Sequence, residues 1–150
     1  MMSGTFQQKY DRARPSYVRV NEKQFADLPA GTTILIPSPR DIEDALLELA
    51  PGEFILPKEL RRRLAEEHGT DGACPVMTGM NLRIVAELAL NRVDAGFSAR
   101  EIVPVWQVIT PDSALAHKLP GGPKRIAQLR DQTQSHSGPE VGRPFPALPD

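Results

Sequence analysis

The chain has 150 residues, with 40% hydrophobic and 25% charged residues and a formal net charge of −1. That length suits one domain with a core large enough to need no covalent staples. The near-neutral balance argues against a uniformly basic nucleic-acid binder. A single cysteine, Cys74, excludes an intrachain disulfide framework and suits a reducing compartment. No apolar run resembles a secretory leader or a membrane span, so a cytoplasmic protein without a membrane role is expected.

The charge is unevenly spread. Residues 1–40 carry six Lys or Arg against three acids, whereas residues 41–71 carry four against nine. In the first segment Lys9, Arg12, Arg14 and Arg19 alternate with Tyr10, Pro15 and Tyr17 without periodicity, which predicts an extended basic arm over residues 1–35. Thr32 to Ile36 is a short β-branched run ended by Pro37. Ser38, Pro39 and Asp41 then mark a helix start, and Ile42, Leu46, Leu47 and Leu49 give it an apolar stripe. Pro51-Gly52 closes it.

Phe54 to Leu56 is long enough only for a short strand or an extended connector. Pro57 opens a second helix to about His68, with Gly69 as its stop. A loop over residues 70–77 leads to a third helix, with Thr78 as its cap and Arg92 near its end. Ser98 with Glu101 repeats the capping-box spacing, but Pro104 limits that helix to about one turn. Val103 to Ile109 reads as a strand, Thr110 to Ser113 as a turn, and Ala114 to His117 as a partner strand. A short helix from Pro123 to Arg130 follows Gly121-Gly122. From Gln132 onward prolines and serines predict a disordered tail over residues 132–150.

Two helices joined by a loop and followed by a β-hairpin form the winged helix-turn-helix pattern, which places the second helix in a DNA groove. The fold expected is therefore a small α+β domain over residues 36–131, winged helix-turn-helix-like, with a short hairpin and an N-terminal arm.

Four short motifs carry a more specific resemblance. Gly52-Glu53-Phe54-Ile55 looks like Gly-Glu-Val-Val, and Arg83-Ile84-Val85-Ala86 like Arg-Ala-Val-Gly. Pro104-Val105-Trp106-Gln107-Val108 stands where Pro-Cys-His-Arg-Val would be. Leu119-Pro120-Gly121-Gly122, with Lys124 and Leu129, looks like a closing Gly-Gly, Lys, Leu-Leu run. In this order, from Ile36 to Arg130, the chain resembles the C-terminal domain of alkylguanine-DNA alkyltransferases, and more closely their small alkyltransferase-like relatives.

The resemblance implies a recognition helix in the minor groove, with Arg83 in the space of a nucleotide swung out at a few kcal/mol. In that family a cysteine thiolate, activated by histidine, accepts the alkyl group. Here Val105 stands at the acceptor position, Trp106 at the histidine and Gln107 at the arginine. A valine offers no nucleophile, so the implied role is binding without catalysis, with Val105, Trp106 and Gln107 lining a lesion pocket. The relatives that lack the cysteine bind alkylated guanine and recruit repair proteins; many carry a tryptophan, one position before Trp106. The tyrosine that presses on the target phosphate in the family matches Pro57, and a segment within Val93 to Ile102 is inserted.

The partner implied is double-stranded DNA, alkylated in one version, met by a monomer without cofactor or metal, and a repair protein could be recruited. Arg83, Thr78 and Asn81 on the recognition helix, Lys58 and Arg62 on the helix before it, and Lys124 are the candidate DNA contacts. Each has a plainer alternative. Arg83 can pair with Glu87 one turn on, and Lys58, Arg61, Arg62 and Arg63 share their helix with Glu59, Glu66 and Glu67. A protein-interaction module that kept the fold is the second function expected, and an enzyme using Cys74 the third. His68, His117 and His136 lack metal-ligand spacing.

Overall fold

The computed structural model describes residues 4–135. They form a mixed α+β domain, with six α-helices, two single-turn 3₁₀ helices and one three-stranded sheet among the described residues. The expectation for residues 136–150 of the tail, His136 included, lies outside them.

The N-terminal segment is not the extended arm that its lack of periodicity predicts. Thr5 and Gln8 form a reciprocal capping box that starts helix α1, Phe6–Arg12, where two otherwise orphaned N–H groups find acceptors. Strand β1, Tyr17–Val20, then pairs antiparallel with β2, Thr33–Ile36, with Val18 opposite Leu35. The β-branched run is thus a strand, and its antiparallel partner lies upstream in the segment expected to be an arm.

Helix α2, Pro39–Leu47, starts as expected: Ser38 Oγ accepts from the Asp41 N–H at 3.1 Å. Helix α3, Pro57–Glu67, is followed by the two-residue strand β3, Gly72–Ala73, parallel to β2. Helix α4, Pro75–Asp94, begins a turn before the expected cap. Pro75 at the first helical position explains the earlier start, because its missing N–H costs nothing there.

The expected hairpin over residues 103–117 is absent. Residues 105–107 form a 3₁₀ turn and Ala114–Lys118 form helix α5, capped by Ser113 Oγ on the Ala116 N–H. The reading as strands rested on a β-branched apolar run. That run is buried because it threads the core rather than because it faces one side of a sheet: Ile102, Val103, Val105, Trp106, Val108 and Ile109 are all buried. Such a run has no period to distinguish the two cases. Gly121 and Gly122, at φ 85° and 64°, make the left-handed turn into α6, Gly122–Ser135, a turn that side chains with a Cβ resist. This helix is longer than expected and takes in the first residues assigned to the tail.

Helix α4 is the axis of the domain. Helices α1, α2 and α3 and the 105–107 turn all pack on it, and Leu82, Val85, Ala86, Ala89 and Leu90 join the main core with Leu46, Leu60, Leu64, Trp106, Ile126 and Leu129. A smaller cluster of Leu28, Ile34, Ile36 and Cys74 sits on the other face of the sheet. No helix among the described residues is long and apolar enough to cross a membrane.

Leu90 is fully buried on the axis. Truncation to alanine is expected to lower the unfolding free energy by about 2–5 kcal/mol. Urea denaturation followed by circular dichroism measures this, and a loss well below that range would show that Leu90 is not enclosed.

Candidate nucleic-acid interface

The segments that carry the resemblance meet in one place, and they meet as a brace. Gln107 is buried, and its amide Nε2 donates to Ala50 O at 3.0 Å and Glu53 O at 2.6 Å. The Ile55 N–H returns a bond to Gln107 O at 2.9 Å. Arg130 Nη1 donates to Trp106 O at 2.7 Å and Ile109 O at 3.1 Å, with its guanidinium over the Phe54 ring at 4.4 Å. Trp106 Nε1 donates to Thr133 Oγ1 at 2.5 Å. A 3₁₀ turn inside a core leaves carbonyls that need donors; Arg130 supplies one to Trp106 O and the Ile55 N–H one to Gln107 O.

The three residues expected to line a lesion pocket are therefore core residues. Val105 is wholly buried, and Trp106 and Gln107 are nearly so. Burial pulls the Arg130 guanidinium below its ordinary pKa, partly offset by Asp112. Sequence reasoning passed over Arg130, because an arginine on an amphipathic helix reads as solvated until the carbonyls it caps are known.

Helix α4 divides the recognition-helix candidates. Thr78 points inward, buried, with no hydrogen-bond partner for its Oγ1 among the described residues. Asn81 Nδ2 donates to Pro37 O at 2.7 Å, tying α4 to the start of α2. Arg83 is half-buried, 3.5 Å from the Glu87 carboxylate and 5.3 Å from the Phe6 ring centroid. The i,i+4 pair that the sequence offered is thus present, joined by an aromatic from α1 that no local pattern could reveal.

What α4 leaves open is a different face. Val76 and Met80 are 52% and 59% exposed. Gly79 is exposed between them, and nothing lies within 4 Å of where a Cβ would stand. Residues 76, 79, 80 and 83 share one side of a helix.

The cations of α3 are largely consumed. Arg61 pairs with Asp27 at 3.3 Å, Arg62 with Glu59 at 2.7 Å and with Glu66, and Arg63 with Glu53 at 2.9 Å and Glu59 at 3.0 Å. Asp27, Lys58, Arg61, Arg62 and Asp71 line an open groove beside α3 in which both signs of charge mix. Lys58 is exposed with no ion pair among the described residues, and Lys124 is exposed at the start of α6.

Further positive charge without an ion pair among the described residues lies on the N-terminal segment. Lys9 stacks on Phe6, Arg14 on Tyr17, and Arg40 of α2 on Tyr10. Helix α1 packs on α4 with Phe6 beside Arg83. Beyond α1, just before β1, Ser16 Oγ accepts from the Ser38 N–H at 2.8 Å, next to the Pro37 carbonyl that Asn81 holds. Helix α1 thus lies beside Val85, Leu88 and Arg92 of α4 and reaches Arg83 through the Phe6 ring.

Cys74 is buried at the start of α4 against Leu28, Ile34 and Ile36, with Met77 packed on the cluster. Among the described residues no group of three or more His, Cys, Asp or Glu could hold a metal ion. No family model, no curated protein and no solved structure matches this chain.

Two outcomes follow. Gln107→Ala leaves the Ala50 and Glu53 carbonyls without that donor, which is expected to cost about 1–3 kcal/mol of stability in a urea titration. The second concerns acid. Hydrogen bonds from Arg62 and then Arg63 hold the Glu59 carboxyl at about 2, below its ordinary 4.5. A carboxyl lowered on folding contributes stability above its unfolded pKa and loses it as pH falls through the folded one. Between about pH 4.5 and about 2, the Tm of the parent protein should therefore fall more steeply than that of Glu59→Gln. Parallel acid limbs would mean that the α3 pairs contribute nothing, a result to seek at low salt because exposed pairs are screened.

Proposed function

We propose that the protein is a non-catalytic DNA-binding module related to the alkyltransferase-like proteins, without their hairpin wing, that meets double-stranded DNA with α4 and its basic N-terminal segment. The observation that carries this reading is the open face of α4, Val76, Gly79, Met80 and Arg83, on a domain whose N-terminal segment bears Lys9, Arg12, Arg14 and Arg19 against one acid, Asp11. A polyanion is drawn to such a local excess even when the whole chain is near neutral.

The order of the four motifs supports the family part of the proposal. The chemistry of Val105 supports the non-catalytic part: an aliphatic side chain enclosed in the core has no electron pair to give an alkyl group. Cys74 in its apolar cluster lacks the electropositive, accessible setting of a reactive thiol. The lesion preference is the finest element of the proposal, and alkylated guanine is its test ligand.

A second reading has its own observation. The valines of β1 are 51% and 62% exposed, and β1 is an outer strand whose free edge could take a strand from a protein partner.

Fluorescence anisotropy with a labelled duplex, with and without O6-methylguanine, separates these. Arg12→Ala with Arg14→Ala and Arg19→Ala should weaken binding about tenfold or more and make the salt dependence shallower by about three charges. Absence of binding at low salt, or affinity indifferent to these arginines, would leave the protein-partner reading in possession. Equal affinity for both duplexes would remove the lesion preference alone. Intact mass after incubation with the alkylated duplex should be unchanged; an added alkyl mass lost in Cys74→Ser would overturn the non-catalytic assignment.

A further inference from the structure

The outer edge of β1 carries backbone groups that the sheet does not use. Just past the strand, the Asn21 N–H donates to Thr32 O at 2.8 Å. That bond fixes the phase of the ladder, because bonded and unbonded pairs alternate along antiparallel strands. Tyr17 and Arg19 therefore bond inward to Ile36 and Ile34, while Val18 and Val20, opposite Leu35 and Thr33, turn their N–H and C=O groups outward. The other side of β2 agrees, since Leu35 O and Thr33 O accept from the Cys74 and Asp71 N–H groups. All four residues of β1 are exposed, and no backbone bond from outside the sheet reaches Val18 or Val20 among the described residues.

An open edge invites a strand, and the residues along this one select which. Laid antiparallel against a second copy, with a two-fold axis at Val18, the segment 14–22 complements itself. Val18 meets Val18, Tyr17 meets Arg19, and Arg14 is brought toward Glu22; the last two pairs each occur twice. Arg14, Arg19 and Glu22 are exposed, and none has an ion pair among the described residues. The Tyr17 ring stacks Arg14 of its own chain at 4.0 Å and is still 37% exposed. Other registers fail on charge. Centring on Arg19 sets two guanidiniums directly opposite each other in an unbonded pair, where side chains are closest, and centring on Val20 sets Glu22 against Val18.

We infer that β1 pairs antiparallel with β1 of a second copy about an axis at Val18, joining the two sheets into one. The inference rests on the reading of β1 as an edge open to a strand and is independent of DNA contact. Pairing covers Val18 with its own copy on the side of the sheet where Leu35 enters the main core. Four residues a side bury far less than the roughly 1,600 Å² of a standard interface. The dimer is therefore weak, and the monomer expected from the sequence prevails at low concentration.

Sedimentation velocity without DNA, from about 10 μM to about 1 mM, should show a monomer–dimer equilibrium. Arg14→Glu and Glu22→Arg should each weaken dimerisation about tenfold, because each pair occurs twice, and the double variant should recover most of that loss. Val18→Pro removes an outward N–H that the monomer does not use, so the variant should fold yet stay monomeric. Under oxidising conditions Val18→Cys should cross-link to its copy, the two Cα atoms standing about 5.5 Å apart in a bonded pair. Val20→Cys, about 13 Å from its copy along the strands, should not. The native Cys74 is buried and takes no part.

A chain that stays monomeric throughout, a dimer that Val18→Pro leaves intact, a double variant no better than the single ones, or cross-linking by Val20→Cys in place of Val18→Cys would each overturn the pairing. Should Val18→Pro fail to fold, the charge swap and the cross-links decide. Amide hydrogen exchange at low concentration separates this inference from the reading beneath it. Fast exchange at Val18 and Val20 in a persistently monomeric chain removes self-pairing and leaves the edge open to a foreign strand. Slow exchange there removes both.

Discussion

The enclosure of α4 is the constraint on which the other features depend. A helix of 20 residues reaches across the domain, and three helices and a buried turn pack around it. Its small residues Ala86 and Ala89 are buried beside Leu82, Val85 and Leu90, so neighbouring elements come close on several sides. Once those sides are taken, the N-terminal stretch with Val76, Gly79 and Met80 remains open, as does the C-terminal end with Asn91, Arg92 and Asp94. The candidate interface is thus what the core leaves over. It is held rigidly because the same helix is the core.

The turn over residues 105–107 illustrates how a buried irregular segment is tolerated. Its carbonyls cannot be left without donors in a low-dielectric interior. Arg130 caps Trp106 O of the turn and Ile109 O just beyond it from α6, and Gln107 turns its own amide outward to the α2–α3 connection. Three stretches distant in sequence are thereby locked together.

Charge is arranged to similar effect. The cations on α3 meet carboxylates on the same helix and on neighbouring loops, which removes the expected phosphate contacts of Arg62 from easy availability. The N-terminal segment keeps its cations on aromatic faces instead. Stacking orders a guanidinium without neutralising it, so these groups remain able to attract an anion.

Local signals carried in the chain itself determined a good deal. Ser38-Pro39 and Pro57 announced α2 and α3, the Ser98–Glu101 capping box placed a single turn, and Gly121-Gly122 placed the start of α6, because caps and glycines act through neighbours a few residues away. Tertiary structure decided what depends on distant partners. The apolar stretch from Ile102 to Ile109 threads the core, a choice that periodicity cannot express. The basic N-terminal residues fold as helix and strand, with α1 laid on α4. Thr78, Asn81 and Gln107 face inward to the core or to carbonyls, while Val76 and Met80 face out. Which side of a helix meets water is settled by what packs against it, and that information lies elsewhere in the chain.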